Sequence, residues 1–147
     1  MKSILITGGT GFFGRSFVRY ILEKREFKRI VIFSRDEFKQ FEMQNELRDN
    51  KEFSKLRFFV GDIRDLDRLK TASKNIDIII HAAALKHVPT AEYNPFEFVK
   101  TNIIGSENVV KASLENNVKK IISISTDKAV SPLNLYGATK LVADKII

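Results

Sequence analysis

The chain has 147 residues, 44% hydrophobic and 29% charged, with no cysteine and a formal net charge of +7. That length fills one ordinary core rather than two, the lack of cysteine excludes a disulfide framework and thiolate chemistry, and no apolar run approaches the roughly 20 residues that cross a bilayer. Met1 leads straight into a strand pattern, without the basic, apolar and cleavage regions of a signal peptide, so a cytoplasmic protein with no membrane association is expected.

Short apolar runs then alternate with longer segments of helical period. SILIT, RIVIF, LRFFV, DIIIH and KIISIS are rich in Ile, Val and Phe and mostly lack polar alternation, the pattern of strands buried on both faces. Between them the spacing predicts helices over 12–24, 36–49, 65–74 and 95–116, and a last one beginning near Tyr136. The longest opens with NPFE, where Asn94 caps, Pro95 suits the first turn and Glu97 completes a box-like arrangement. Val99, Ile103, Val109, Val110 and Leu114 follow at helical spacing. Strand and helix alternating in this way imply right-handed crossovers and a parallel sheet covered on both faces. The expected fold is a doubly wound α/β domain over 1–147, built on five parallel strands.

The first strand runs into ILITGGTGFFGRSF, which spaces Gly8, Gly11 and Gly14 as G-x-x-G-x-x-G before a helix. A sharp turn, close approach to a pyrophosphate and packing of helix on strand all favour residues without Cβ, and phosphate sits on the free N–H groups of the helix N-terminus. Thr10, Phe12 and Phe13 fall inside that loop and first turn. The end of the second strand reads FSRDEFK. Ser34, Arg35 and Lys39 there point to the 2′-phosphate of NADP, whereas Asp36 keeps NAD open. After the third strand, Asp62 and Ile63 lie where an adenine edge would, Asp62 serving either the exocyclic amine or the cap of the next helix. Ala82, Ala83 and Ala84 follow strand four and let a flat cofactor approach the backbone. His81 reads as a satisfied interior side chain, and with His87 the only other histidine no metal site is expected.

Tyr136 and Lys140 stand four apart on one helix face after the fifth strand. Using a phenol as a base at neutral pH costs about 4 kcal/mol, which a neighbouring ammonium and a positive nicotinamide ring offset. Thr126, Asp127 and Lys128 leave the end of strand five, where open α/β sheets place ligands, and their hydroxyl, carboxylate and amine suit proton transfers around a sugar carbon. A surface pairing of Asp127 with Lys128 is the plainer alternative. The positive charge is interleaved with acids, as in KREFKR and RDLDRLK, so a basic surface for phosphorylated small molecules is favoured and a nucleic-acid partner is not.

TGGTGFFG, SRDE, GDIRD, HAAALKHVPTAEYNP, KTNIIG and STDKAVSPLNLYGATK together resemble the extended short-chain dehydrogenase/reductase family, which implies an NAD(P)-binding Rossmann fold with its five strands in the order 3-2-1-4-5. Within it they are most similar to the C5-inverting UDP-N-acetylglucosamine 4,6-dehydratases of polysaccharide and flagellin-glycan biosynthesis. The resemblance implies that Thr126 holds the sugar, Tyr136 takes the C4 hydroxyl proton and Lys140 binds the cofactor ribose. It further implies that Lys128 removes the C5 proton, that Asp127 protonates the departing C6 hydroxyl, and that Lys86 joins the cofactor-binding set. Members of the family run to roughly twice this length and assemble as homo-oligomers. The 147 residues are therefore expected to be the cofactor-binding part of a longer protein, without the lobe that grips the UDP-sugar and with little turnover alone. A nucleotide-sugar 4-epimerase or reductase, and a non-catalytic NADP-binding module, are the competing readings.

Overall fold

The structure, a computed structural model, describes residues 2–147. Five parallel strands, β1 (Lys2–Thr7), β2 (Phe27–Ser34), β3 (Leu56–Val60), β4 (Ile78–His81) and β5 (Lys120–Ser123), form one sheet in the order β3-β2-β1-β4-β5. This is the doubly wound order expected above. Alternation along each strand divides the core in two. Ile4, Ile6, Ile30, Ile32 and Ile80 face α1 (Phe12–Lys24) and α2 (Glu37–Leu47), meeting Val18, Leu22 and Met43. Leu5, Val31, Phe33 and Ile79 face the opposite side, where α3 (Leu66–Ala72) and α6 (Gly105–Glu115) supply Leu69, Val109 and Ala112.

Burial on both faces holds for β1, β4 and the C-terminal half of β2 but not for the sheet edges. Val60 is 45% exposed at the end of β3 and Ile122 is 44% exposed in β5, because each of these strands has a neighbour on one side only.

The segment expected as one helix over 95–116 is built in three pieces. A short α4 (Val88–Tyr93) precedes α5 (Pro95–Phe98), a π-helical stretch over Val99–Ile104 follows, and α6 completes it. Asn94 stands at the N-cap position of α5 with Pro95 in the first turn, as expected, but its side chain makes no capping bond and its amide donates back to Thr90 O at 3.1 Å. Nor does Glu97 complete a box, since it pairs with Arg64 and Lys100. The π turn shifts the helical register by about a residue, so the expected apolar stripe breaks. Leu114 ends 74% exposed, while Thr101, Asn102 and Ser106 face the interior. The last helix, α7 (Leu135–Ile146), begins where expected, with Asn134 Oδ1 accepting from Gly137 N at 2.8 Å. No helix among the described residues is long and apolar enough to cross a membrane.

Candidate functional site

A crevice of about 490 Å³ opens at the C-terminal ends of the strands, around the point where the sheet order reverses. β1 delivers the chain to Gly8, whose φ of 68° lies in the left-handed region that side chains disfavour. A Cβ there would also sit 2.9 Å from the backbone of Ala83. Gly8 N donates to Phe33 O at 2.9 Å, tying the loop to the end of β2. The first N–H groups of α1, those of Phe12, Phe13 and Gly14, precede any intrahelical acceptor, and no acidic residue stands in that turn. The Phe12 ring is exposed and the Phe13 ring stacks on Phe17; Thr10, Gly11 and Gly14 complete this wall. The arrangement is an anion cradle at a helix N-terminus.

At one end of the crevice stand Ser34, Arg35, Asp36, Lys39, Asp62 and Ile63. Gln40 Nε2 donates to Ser34 Oγ at 2.9 Å, which leaves the serine proton free for a ligand. Asp36 caps α2 by accepting from Lys39 N at 3.0 Å, while Arg35 and Lys39 carry half-exposed positive ends. Asp62 is not the cap of α3; Asp65 is, accepting from Arg68 N. Asp62 instead takes three bonds from Arg64, with Arg35 3.8 Å away. Burial pulls its pKa up, yet the Arg64 bonds and the Arg35 charge outweigh it and hold the carboxyl below its ordinary range. Ala82, Ala83, Ala84 and the exposed Lys86 line the crevice beside the glycine loop.

Tyr136 and Lys140 close the far end. Lys140 is 4% exposed, with Nζ donating to Ile124 O at 2.7 Å. Burial lowers its pKa, partly opposed by the Asp144 charge. The remaining three expected residues are not in this crevice. Thr126, Asp127 and Lys128 form a 3₁₀ turn (Asp127–Ala129 with Thr126 at its cap) whose acidic and basic side chains point to solvent 3.8 Å apart. The strand they leave is the edge β5, and the Asp127 and Lys128 side chains lie exposed while the turn's backbone rests against α7. The Thr126 hydroxyl and then the Lys128 charge hold Asp127 below the ordinary carboxylate range. Five lining residues, Phe33, Gly61, Thr101, Ile124 and Ser125, lie outside the candidate set above. Thr101 was hidden by the π turn, although two adjacent polar residues, Thr101 and Asn102, on an otherwise apolar helix face were the available signal. No cluster able to hold a metal ion occurs among the described residues.

Residues 4–147 match a family described as polysaccharide biosynthesis protein. A UDP-N-acetylglucosamine 4,6-dehydratase (inverting) of Campylobacter jejuni strain 81-176 is 55% identical over 145 residues, 99% of this chain and 42% of the relative. A UDP-glucose 4-epimerase of Rickettsia bellii is 45% identical over 148 residues, again 42% of its length. The X-ray structure of Pen from Bacillus thuringiensis superimposes with a TM-score of 0.94 at 47% identity, covering 99% of this chain and 44% of that one. The chain thus spans less than half the length of these relatives.

Proposed function

Because the chain belongs to the polysaccharide biosynthesis protein family, we propose that it is the NADP-binding part of a UDP-N-acetylglucosamine 4,6-dehydratase that inverts C5. The observation that carries this reading is the crevice, which faces an anion cradle with a Tyr/Lys pair. NADP fits the residues present: Arg35 and Lys39 suit a 2′-phosphate, and Asp36, the group that would favour NAD, is engaged in capping α2. When bound, this cofactor supplies a reversible hydride acceptor.

Tyr136 then receives the proton of the C4 hydroxyl, with Lys140 held beside it by Ile124 O. Lys128 removes the C5 proton made acidic by the C4 ketone, and Asp127 gives a proton to the C6 hydroxyl as it leaves as water, while Thr126 orients the sugar. Proton donation requires Asp127 to ionise less readily than it does in this exposed turn, and exclusion of solvent by bound sugar acts in that direction. The UDP-sugar is gripped by the part of the relatives that this chain does not match. The 147 residues alone therefore bind cofactor but turn over poorly, lacking the remote binding energy that orients substrate. Exposed Ile104 and Val142 are assigned to a homo-oligomer contact.

Calorimetry tests the cofactor. NADP⁺ is expected to bind, Arg35→Ser to weaken it about tenfold through loss of a charged phosphate contact worth about 1.4 kcal/mol, and NAD⁺ affinity to stay within twofold. The identity to a UDP-glucose 4-epimerase favours a second reading. Product mass in D₂O, measured on the protein at the length of its relatives, separates the two. Loss of one water with solvent deuterium at C5 supports dehydration, unchanged mass with a C4 epimer supports epimerisation, and absence of dinucleotide binding overturns both.

A further inference from the structure

A buried polar relay runs from the strand that launches the glycine loop to the helix that carries Tyr136 and Lys140. His81, 2% exposed at the end of β4, places Nδ1 2.8 Å from Thr7 Oγ1 and Nε2 3.1 Å from Ser106 Oγ. Ser106 has one proton, and it goes to Asn102 O at 2.6 Å. The serine oxygen is therefore the acceptor, and Nε2 carries the imidazole hydrogen. At the other nitrogen, Thr7 Oγ1 already accepts from the N–H groups of Ala82 and Ala83 at 3.2 and 3.3 Å, so its own proton goes to a bare Nδ1. The ring is neutral and in one tautomer.

Beyond Ser106 lies Asn102, in the π turn. Its side chain clamps Leu85, accepting from Leu85 N and donating to Leu85 O, both at 2.9 Å. It also donates to Thr139 Oγ1 at 3.0 Å, and Thr139 donates to Tyr136 O at 2.8 Å. The π turn is what aims Asn102 inward toward this clamp. Satisfied polar chains of this kind hold one geometry where apolar packing tolerates several.

We propose that His81 is a positioning residue: through Ser106, Asn102 and Thr139 it sets the seat of Tyr136 and Lys140 relative to the strand that carries the glycine loop. The inference rests on the reading of Tyr136 and Lys140 as the reactive pair, but its geometric content is tested without cofactor or turnover.

The chain contains two histidines, so His87→Gln leaves a single imidazole for ¹⁵N NMR. His81 is expected as the neutral Nε2–H tautomer at pH 7; an Nδ1–H tautomer or an imidazolium overturns the proposal. Amide exchange over Gly137–Lys140 is then measured in the 147-residue chain without ligand. His81→Asn keeps an acceptor for Thr7 but cannot reach Ser106, and is expected to speed exchange there at least tenfold relative to α3. His81→Gln restores a donor toward Ser106 and is expected to stay within threefold of the parent. Ser106→Ala breaks the same link with little change of volume and carries the test should His81→Asn not fold. Ile79→Val, a core change in the same strand, controls for simple loss of stability. Unchanged exchange in α7, or a rise spread evenly over the sheet as in Ile79→Val, overturns the proposal. Failure of the parent chain to bind NADP⁺ would sink the functional reading and leave this one standing.

Discussion

Gly137→Ala is expected to cost the full-length protein about a hundredfold or more in kcat while NADP⁺ affinity changes by less than threefold. Gly137 is buried in the first turns of α7, between Tyr136 and Lys140. A Cβ at this position would overlap the carbonyl oxygen of Lys128 and meet Pro132 Cβ at 3.0 Å. The obstacle is backbone, which cannot swing aside as a side chain would. Either α7 tilts away or the turn over Asp127–Ala129 is pushed out, and both separate Tyr136 from the Thr126–Lys128 group. A displacement near 1 Å is enough to cost about a hundredfold in rate, and overpacking adds about 1–3 kcal/mol of instability. The glycine loop and the Arg35 end, which hold the phosphates, lie on other elements, so most of the cofactor affinity is kept although Lys140 moves with α7. Steady-state kinetics with calorimetry on the same variant check this; near-parental kcat would show that the turn and the helix do not act together.

Gly137 also marks where reading the residues reached its limit. The Tyr/Lys spacing was visible because a helix repeats every 3.6 residues, and the glycine loop because it follows β1 and opens α1. The alternating apolar runs carried the parallel sheet covered on both faces, since crossovers of one hand leave few arrangements, while its strand order came from the family resemblance. His81 reads correctly as an interior side chain because an apolar run leads into it. What stayed hidden depends on contacts between distant elements. The contact of Gly137 with Lys128 O, the π turn that rotates Thr101 and Asn102 inward, and the choice of Asp65 over Asp62 as the cap of α3 are all decided by packing against neighbours. The exposure of Asp127 and Lys128 is likewise a property of β5 as a sheet edge; apolar content alone does not separate an edge strand from a central one.

The chain is expected to lose about 3 kcal/mol of stability between pH 7 and pH 4, with His81 as the source. Burial, and then the charge of Lys140, depress the imidazole pKa to about 4, against about 6.5 in an unfolded chain. As pH falls below 6.5 the unfolded state takes up a proton that the folded state refuses until about pH 4, so acid favours unfolding across that window. The stabilisation is complete above pH 6.5 and gone below about pH 4, and the 2.5-unit gap corresponds to about 3 kcal/mol, or more than a hundredfold in the unfolding equilibrium. The geometry gives the same sign: an imidazolium would bring a second hydrogen to Nδ1, where the Thr7 hydroxyl already donates. Asp77 acts in a lower range, because Lys119 and then the Ser3 N–H and hydroxyl hold its carboxyl below the ordinary value. Its contribution is present above the carboxylate range and is lost only in stronger acid, and the lowered Glu52 and Glu97 begin to lose theirs near pH 4.5, leaving pH 5.5 to 6.5 as the window that isolates His81. Urea unfolding at pH 7.5, 6.5 and 5.5, carried out in a His87→Gln background, should show stability falling with acid in the parent and a nearly flat profile in His81→Gln. An equal slope in both would place the acid sensitivity elsewhere in the chain.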